Sequence, residues 1–415
     1  MAELPSANVV GNANLISNLN RSFILRLIKE QGPMSRAEIA KHLELNPATV
    51  GRIVSKLLQN NLLHEVGTAP SQGGRRGTLV AYNPKAGTVI GLDLNGAYIL
   101  GVLADLGGDF LCRTERPASA TRDAQENLNI AYGIIEELLN TTPYEPRCLH
   151  GIGISCSSVT INPEGIVVLS AALGWQNVRI KALLEDRFGY PVFVQNQSDL
   201  GALAESLWGV AQDTKRLVWL DVGTGIGSGI VINKRLYQGA HHAAGEVGYL
   251  VPGPQYLGRT FDTFGCMETV GSCSAIVRKA QQAIENGHCT RLRDRLEQAG
   301  DLTIVDVFDA TRHADPLSTQ LTDEMADYLS LMIVSIASIL DPDMVVLGQE
   351  LAGAGDLLIP RIEARLRGLV AAMPQIATSS LGQDAVIRGA VALALEATEE
   401  QFYVTHSAFR ELFPI

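Results

Sequence analysis

Four glycines spaced two apart, Gly223, Gly225, Gly227 and Gly229, follow an apolar strand that ends at Asp221. Without a β-carbon at such positions, backbone N–H groups can approach a phosphate closely. The β-rich run 230–232 comes next, so a plain hairpin turn fits the same residues. The stretch downstream adds chemistry. Gly245-Glu246-Val247-Gly248 sets one carboxylate between glycines, and Glu268 supplies a second. A carboxylate accepts hydrogen bonds from the hydroxyls of a polyol or sugar. Taken singly, each also fits a surface or helix-start residue.

Such groups need a frame that holds them to one cleft, and the chain is long enough to supply it. Its 415 residues are 46% hydrophobic and 19% charged, a soluble globular composition with room for more than one domain. No apolar run reaches the roughly 18–20 residues that span a bilayer. The N-terminus carries no signal-peptide pattern, so a cytoplasmic protein without a membrane partner is expected. Cysteines at 112, 148, 156, 266, 273 and 289 form no Cys-x-x-Cys pair, which fits a reducing compartment.

After Pro84 the periodicity predicts strands at 88–94, 97–103, 110–114, 149–156, 167–169 and 192–194, with helices at 125–139 and 180–188. A helix at 199–208 and the glycine-rich strand pair follow. Helices are then expected at 273–286, 303–310, 321–340, 357–366 and 385–396, with a strand at 344–347. VIGLDLNGAYILGVLAD and LVWLDVGTGIGSGIVIN each read strand, Asp, glycine turn, strand. Their likeness predicts an α/β body of two similar lobes.

The first 85 residues are different in charge. They hold ten Lys/Arg against five Asp/Glu, a net of +5, whereas the remainder holds 23 against 39, a net of −16. A basic head on an acidic body points the head at a polyanion. Residues 12–31 read as a helix with Leu15, Leu19, Phe23, Ile24, Leu27 and Ile28 on one face. Ser35 and Glu38 have the spacing of a capping box, opening a helix at 36–43. Asn46 caps the next, 47–60, with Pro47 at its first position. Strands at 62–66 and 78–82 flank a loop that carries Arg75 and Arg76. Together these form a winged helix-turn-helix. A helical protein-docking module is the other identity for such a head. As a DNA-binding domain it would use Ser35, Arg36, Asn46, Ala48, Thr49, Arg52, Ser55 and Lys56, with Arg75 and Arg76 at the wing tip.

The run SRAEIAKHLELNPATVGRIVSKLLQNNLLHEVG with its GGRRG loop resembles the winged head of ROK transcriptional regulators, the xylose-repressor types in particular. Residues 87–396 resemble the ROK body, a two-lobed actin/sugar-kinase-like (ribonuclease H-like) fold. The resemblance implies a winged helix-turn-helix at 1–85, a small α/β lobe at 86–195 and a large lobe with C-terminal helices at 196–415. ROK kinases take a catalytic base from an Asn-Asp pair; here the pair reads Asn196-Gln197. A glutamine amide has no useful basicity near neutral pH. The first phosphate loop and the adenosine-side glycines are also altered, to Asp93-Leu94-Asn95-Gly96-Ala97 and Gly348-Gln349-Glu350.

The implied sugar pocket keeps Glu246, Glu268 and Asn196 and includes Gln197 and Tyr249; Ala172 replaces a sugar-contacting asparagine. The implied zinc positions read Tyr249, Arg259, Phe261 and Cys266, too few ligands for structural zinc, so neither metal nor cofactor is expected. The expected protein is a homodimeric or homotetrameric repressor of carbohydrate genes. It would hold a pseudo-palindromic double-stranded operator and release it to a sugar or sugar derivative. A sugar kinase with an appended head, and a regulator gated by a protein partner, are the two alternatives.

Overall fold

The computed structural model describes residues 13–68, 77–141, 149–157, 164–170, 172–261 and 265–402. The head comprises helix α1 (Ala13–Gln31), strand β1 (Met34–Ser35), helices α2 (Arg36–His42) and α3 (Pro47–Gln59), and strands β2 (Leu63–Thr68) and β3 (Thr78–Tyr82). Its caps are those the sequence predicts. The Ser35 hydroxyl accepts from the Glu38 N–H, and the Glu38 carboxylate accepts from the Ser35 N–H at 2.8 Å. Pro47 opens α3 behind the Asn46 cap. The wing has a third strand that no periodicity signals: β1 pairs antiparallel with β3, in the order β1-β3-β2. Helix α1 buries Ile24, Leu25 and Ile28, whereas Phe23, expected on that face, is 48% exposed.

Only the 3-10 turn Pro84–Ala86 separates β3 from the body. The first lobe runs β4 (Thr88–Leu94), β5 (Tyr98–Asp105), β6 (Phe110–Pro117), α4 (Ala124–Thr141), β7 (Leu149–Cys156), the hairpin β8 (Val167–Ser170) and β9 (Trp175–Val178), α5 (Ile180–Phe188) and β10 (Val192–Asn196). The second opens with α6 (Gln197–Trp208), β11 (Arg216–Val222), β12 (Ile226–Ile232) and β13 (Arg235–Leu236). Helices α7 (Cys266–Gly271), α8 (Cys273–Glu285), α9 (Leu292–Ala299), α10 (Ile304–Arg312) and α11 (Pro316–Leu340) follow. The chain ends its described part with β14 (Met344–Leu347), α12 (Gly355–Leu366), β15 (Gln375–Thr378) and α13 (Ala385–Phe402).

Each lobe is built on five strands, ordered β6-β5-β4-β7-β10 in one and β13-β12-β11-β14-β15 in the other. In both, the first three strands are antiparallel neighbours and the last two run parallel to the first. The repeated sequence element is therefore the opening hairpin of two equivalent sheets.

Several boundaries differ from the sequence expectation: α11 starts at Pro316 instead of 321, β6 runs on to Pro117, and α9, β9 and β15 are not among the expected elements. Two of the differences matter for the cleft. Strand β12 begins at Ile226, so Gly227 and Gly229 belong to the strand and not to the turn. A β-carbon on Gly229 would stand 2.2 Å from the Ser198 carbonyl oxygen, so glycine there lets α6 lie directly on the sheet. Helix α6 begins at Gln197, two residues early, because Asn196 caps it: its Oδ1 accepts from the Ser198 N–H at 2.8 Å.

Helix α13, the C-terminal part of the segment 196–415, packs on β4 and β7 of the first sheet and on α6. A β-carbon on Gly153 in β7 would stand 1.9 Å from the Ala390 carbonyl oxygen. Helices α6 and α13 thus form the layer between the lobes. Helix α13 also touches α1, and the apolar cluster that fills the head (Ile24, Val50, Leu57, Val80) is continuous with Val89, Leu200 and Val391 of the body.

Candidate functional site

The head presents one polar helix face. Helix α3 turns Val50, Ile53, Val54 and Leu57 inward and leaves Ala48, Arg52, Ser55 and Lys56 exposed, with Thr49 half-buried. Among the described residues neither Arg52 nor Lys56 has an ion-pair partner, so both cations are available to an anionic ligand. Two expected contacts sit differently. Ser35 is 6% exposed and its hydroxyl is engaged in the α2 cap, which makes it a structural residue first. Arg36 is half-buried, 3.7 Å from Glu65. Asn46 is exposed with its Oδ1 on the Ala48 N–H at 2.8 Å. Arg75 and Arg76 lie outside the described residues.

In the body, carboxylates from both lobes gather around the opening hairpins. Asp93 is the sixth residue of β4 and Asp221 the sixth of β11, so the duplicated sheets bring them to equivalent places. Asp93 is 2% exposed, its Oδ1 has no hydrogen-bond partner, and burial pushes its pKa up to about 6. Asp221 keeps some surface, but its carboxyl is desolvated. Burial first, then Glu350 and more weakly Asp93, push it to about 7 against the Ser198 hydroxyl at 3.4 Å. Glu350, in the 3-10 turn Gln349–Ala354, is exposed as a residue, yet partial burial of its carboxyl raises it.

The second group lies around Asp199. Its carboxylate accepts from Gln195 Nε2 at 2.6 Å, and burial, then the nearby Glu246, raises it to about 7. Burial and Glu268 do the same to Glu246, also to about 7. Glu268 is raised by burial and held by the Ile226 N–H at 2.9 Å, at the start of β12 where the glycine turn ends. Tyr249, 51% exposed at the rim, is raised by burial and by those two glutamates. All five expected pocket residues have a described place: Glu246, Glu268 and Tyr249 are in mutual electrostatic reach, and Asn196 caps α6. Gln197 is half-buried at the first position of α6. Sequence reading left out Asp199, Asp221 and Glu350 as pocket residues. The duplicated strand-Asp-turn pattern was the available signal for Asp221.

Ala172 packs its methyl on Gly96 and so belongs to the first-lobe loop contacts. Around Cys266, Arg259 stacks on Tyr256 at 5.7 Å and Tyr256 packs on Phe261 with centroids 6.5 Å apart. Among the described residues no group of three or more His, Cys, Asp or Glu is set to hold a metal ion.

A ROK family model matches residues 89–397, and a MarR family model matches residues 18–65. The chain belongs to the ROK family. It is 28% identical over 393 residues to a xylose repressor of Caldicellulosiruptor bescii, covering 93% of this chain and 98% of that one. A crystal structure of a ROK family transcriptional regulator, described as a homolog of the E. coli MLC protein, superposes with a TM-score of 0.79 at 27% identity. That likeness covers 93% of this chain and 98% of that one. A ROK glucokinase from Streptomyces griseus, in complex with glucose and AMPPNP, shares the body fold alone. Its TM-score is 0.64 at 23% identity, over 75% of this chain and the whole of that one. This ROK chain thus joins a winged head of MarR type to a sugar-kinase-like body, as the motifs of its sequence imply.

Proposed function

We propose that the chain is a DNA-binding transcriptional regulator, a repressor of carbohydrate uptake or catabolism genes. A sugar or sugar derivative, bound between Asn196, Gln197, Glu246, Tyr249 and Glu268, releases it from its operator. The observation that carries this reading is the union of the two parts in one chain, with a xylose repressor aligned along 93% of it. The exposed Arg52 and Lys56 on α3 support a DNA contact, since arginine reads guanine and lysine meets phosphate. Operators of such two-helix readers mirror a two-fold dimer, so a homodimer or homotetramer on a pseudo-palindromic site fits the head.

The same reading makes the body a sensor and not a kinase. Gln197 offers no base to a sugar hydroxyl. Asp199, two residues on in α6, already accepts from Gln195. No described helix is long and apolar enough to cross a membrane. Fluorescence anisotropy with upstream DNA of neighbouring carbohydrate genes, with and without a sugar panel, tests the proposal. Specific binding weakened by one sugar supports it. Steady sugar phosphorylation with ATP would instead favour the kinase identity.

A further inference from the structure

The phosphate end of the cleft is lined by the chain's own anions. Three observations define it. Gly348 has no room for a side chain, because a β-carbon would stand 2.0 Å from the Trp219 ring, so the segment after β14 is pinned there. The next residue, Gln349, turns with φ of 47°, and Glu350 is thereby turned toward the glycine turn between β11 and β12. The Glu350 Oε2 lies 2.8 Å from where a β-carbon of Gly223 would be, and the Glu268 Oε2 lies 2.9 Å from that of Gly225. The turn whose glycines would admit a phosphate is thus flanked by carboxylates on both sides.

Asp221, two residues before Gly223 on β11, is in electrostatic reach of Glu350 and of the buried Asp93, whose Oδ1 has no hydrogen-bond partner among the described residues. Among the described residues no lysine, arginine or histidine forms an ion pair with Asp93, Asp221, Glu268 or Glu350. A phosphoryl group placed beside these carboxylates would meet like charge, and like charges within a few ångströms repel.

We infer that Glu350 is a specificity residue of the interlobe cleft. Its carboxylate bars phosphoryl groups from the glycine turn, so the effector that fits is an unphosphorylated sugar. This rests on the sensor reading above and narrows its ligand class. Binding of inorganic pyrophosphate to the full-length protein without DNA, by calorimetry with and without magnesium, tests it independently of regulation. Wild type should show no binding. Glu350→Gln, and Glu350→Ser as a second variant, should gain pyrophosphate affinity by about tenfold or more, as expected for removing one nearby like charge.

Glu363→Gln, which removes an exposed charge on α12, should behave as wild type. Thermal melts establish that each variant is folded. The inference falls if wild type binds pyrophosphate as tightly as the Glu350 variants, with magnesium or without it. It falls equally if folded Glu350 variants gain nothing, or if Glu363→Gln gains as much. If pyrophosphate binds wild type while a sugar still releases operator DNA, this inference fails and the regulator reading stands. If sugars have no effect on DNA while the Glu350 variants gain pyrophosphate, the reverse holds.

Discussion

At the scale of single residues, the body concentrates its chemistry in carboxyls that the fold keeps from water. Asp93 and Asp221 hold their protons up to about pH 6 and 7 in the folded chain, against an ordinary 3.8. A carboxyl raised in this way favours the folded state below its ordinary pKa. That contribution is lost as pH rises through the folded value. Stability should therefore fall between about pH 4 and pH 7 from these groups. Asp221→Asn, which cannot ionise, should flatten the decline and gain on the order of 2–4 kcal/mol relative to wild type at pH 8. Parallel melting profiles for the two proteins from pH 5 to 8 would speak against the buried-carboxyl account.

In the head, Arg52→Ala should cost about 1–3 kcal/mol on a specific operator. Lys56→Ala should weaken all sequences alike and reduce the salt slope of binding by about one. Unchanged operator affinity in the Arg52 variant would remove α3 as the reading helix.

At the scale of elements, what could be read in the sequence was what local chemistry writes there. Ser35 with Glu38, and Asn46 with Pro47, carry their helix starts in their own side chains, and α2 and α3 begin where those residues say. Strand β1 could not be read: two residues have no periodicity, and Met34 and Ser35 become a strand only because Val80 and Leu79 pair with them. Gly227 and Gly229 looked like turn residues, since nothing local tells a turn glycine from one that clears space for a helix. The neighbour that decides, Ser198, lies some thirty positions away in the chain. The pocket divides the same way. Glu246 and Glu268 sit beside glycine motifs and were legible, whereas Glu350 reaches the turn after Gly223 only through the packing of Gly348 on Trp219. The contact of β7 with α13 offers a test at this scale. Gly153→Ala should force the two apart and cost at or above the ~1–3 kcal/mol usual for overpacking, read as a lowered melting temperature.

At the scale of the molecule, a basic head is joined to an acidic two-lobed body by a three-residue turn and by the contact of α1 with α13. Helix α13 packs on the first sheet and on α6, and α6 carries Asp199 and starts at the Asn196 cap. A ligand that draws the lobes together would shift the layer on which the head rests. Because binding is linked, a sugar that weakens operator affinity by some factor must itself bind the operator complex more weakly by the same factor. The most direct measurement is the affinity of full-length protein for its operator across a panel of unphosphorylated sugars, for wild type and Glu246→Ala. One sugar should weaken wild-type binding, by the factor that calorimetry finds between free and operator-bound protein, and leave Glu246→Ala on its DNA. Operator affinity indifferent to every sugar, or a Glu246→Ala protein that still responds as wild type does, would contradict the account.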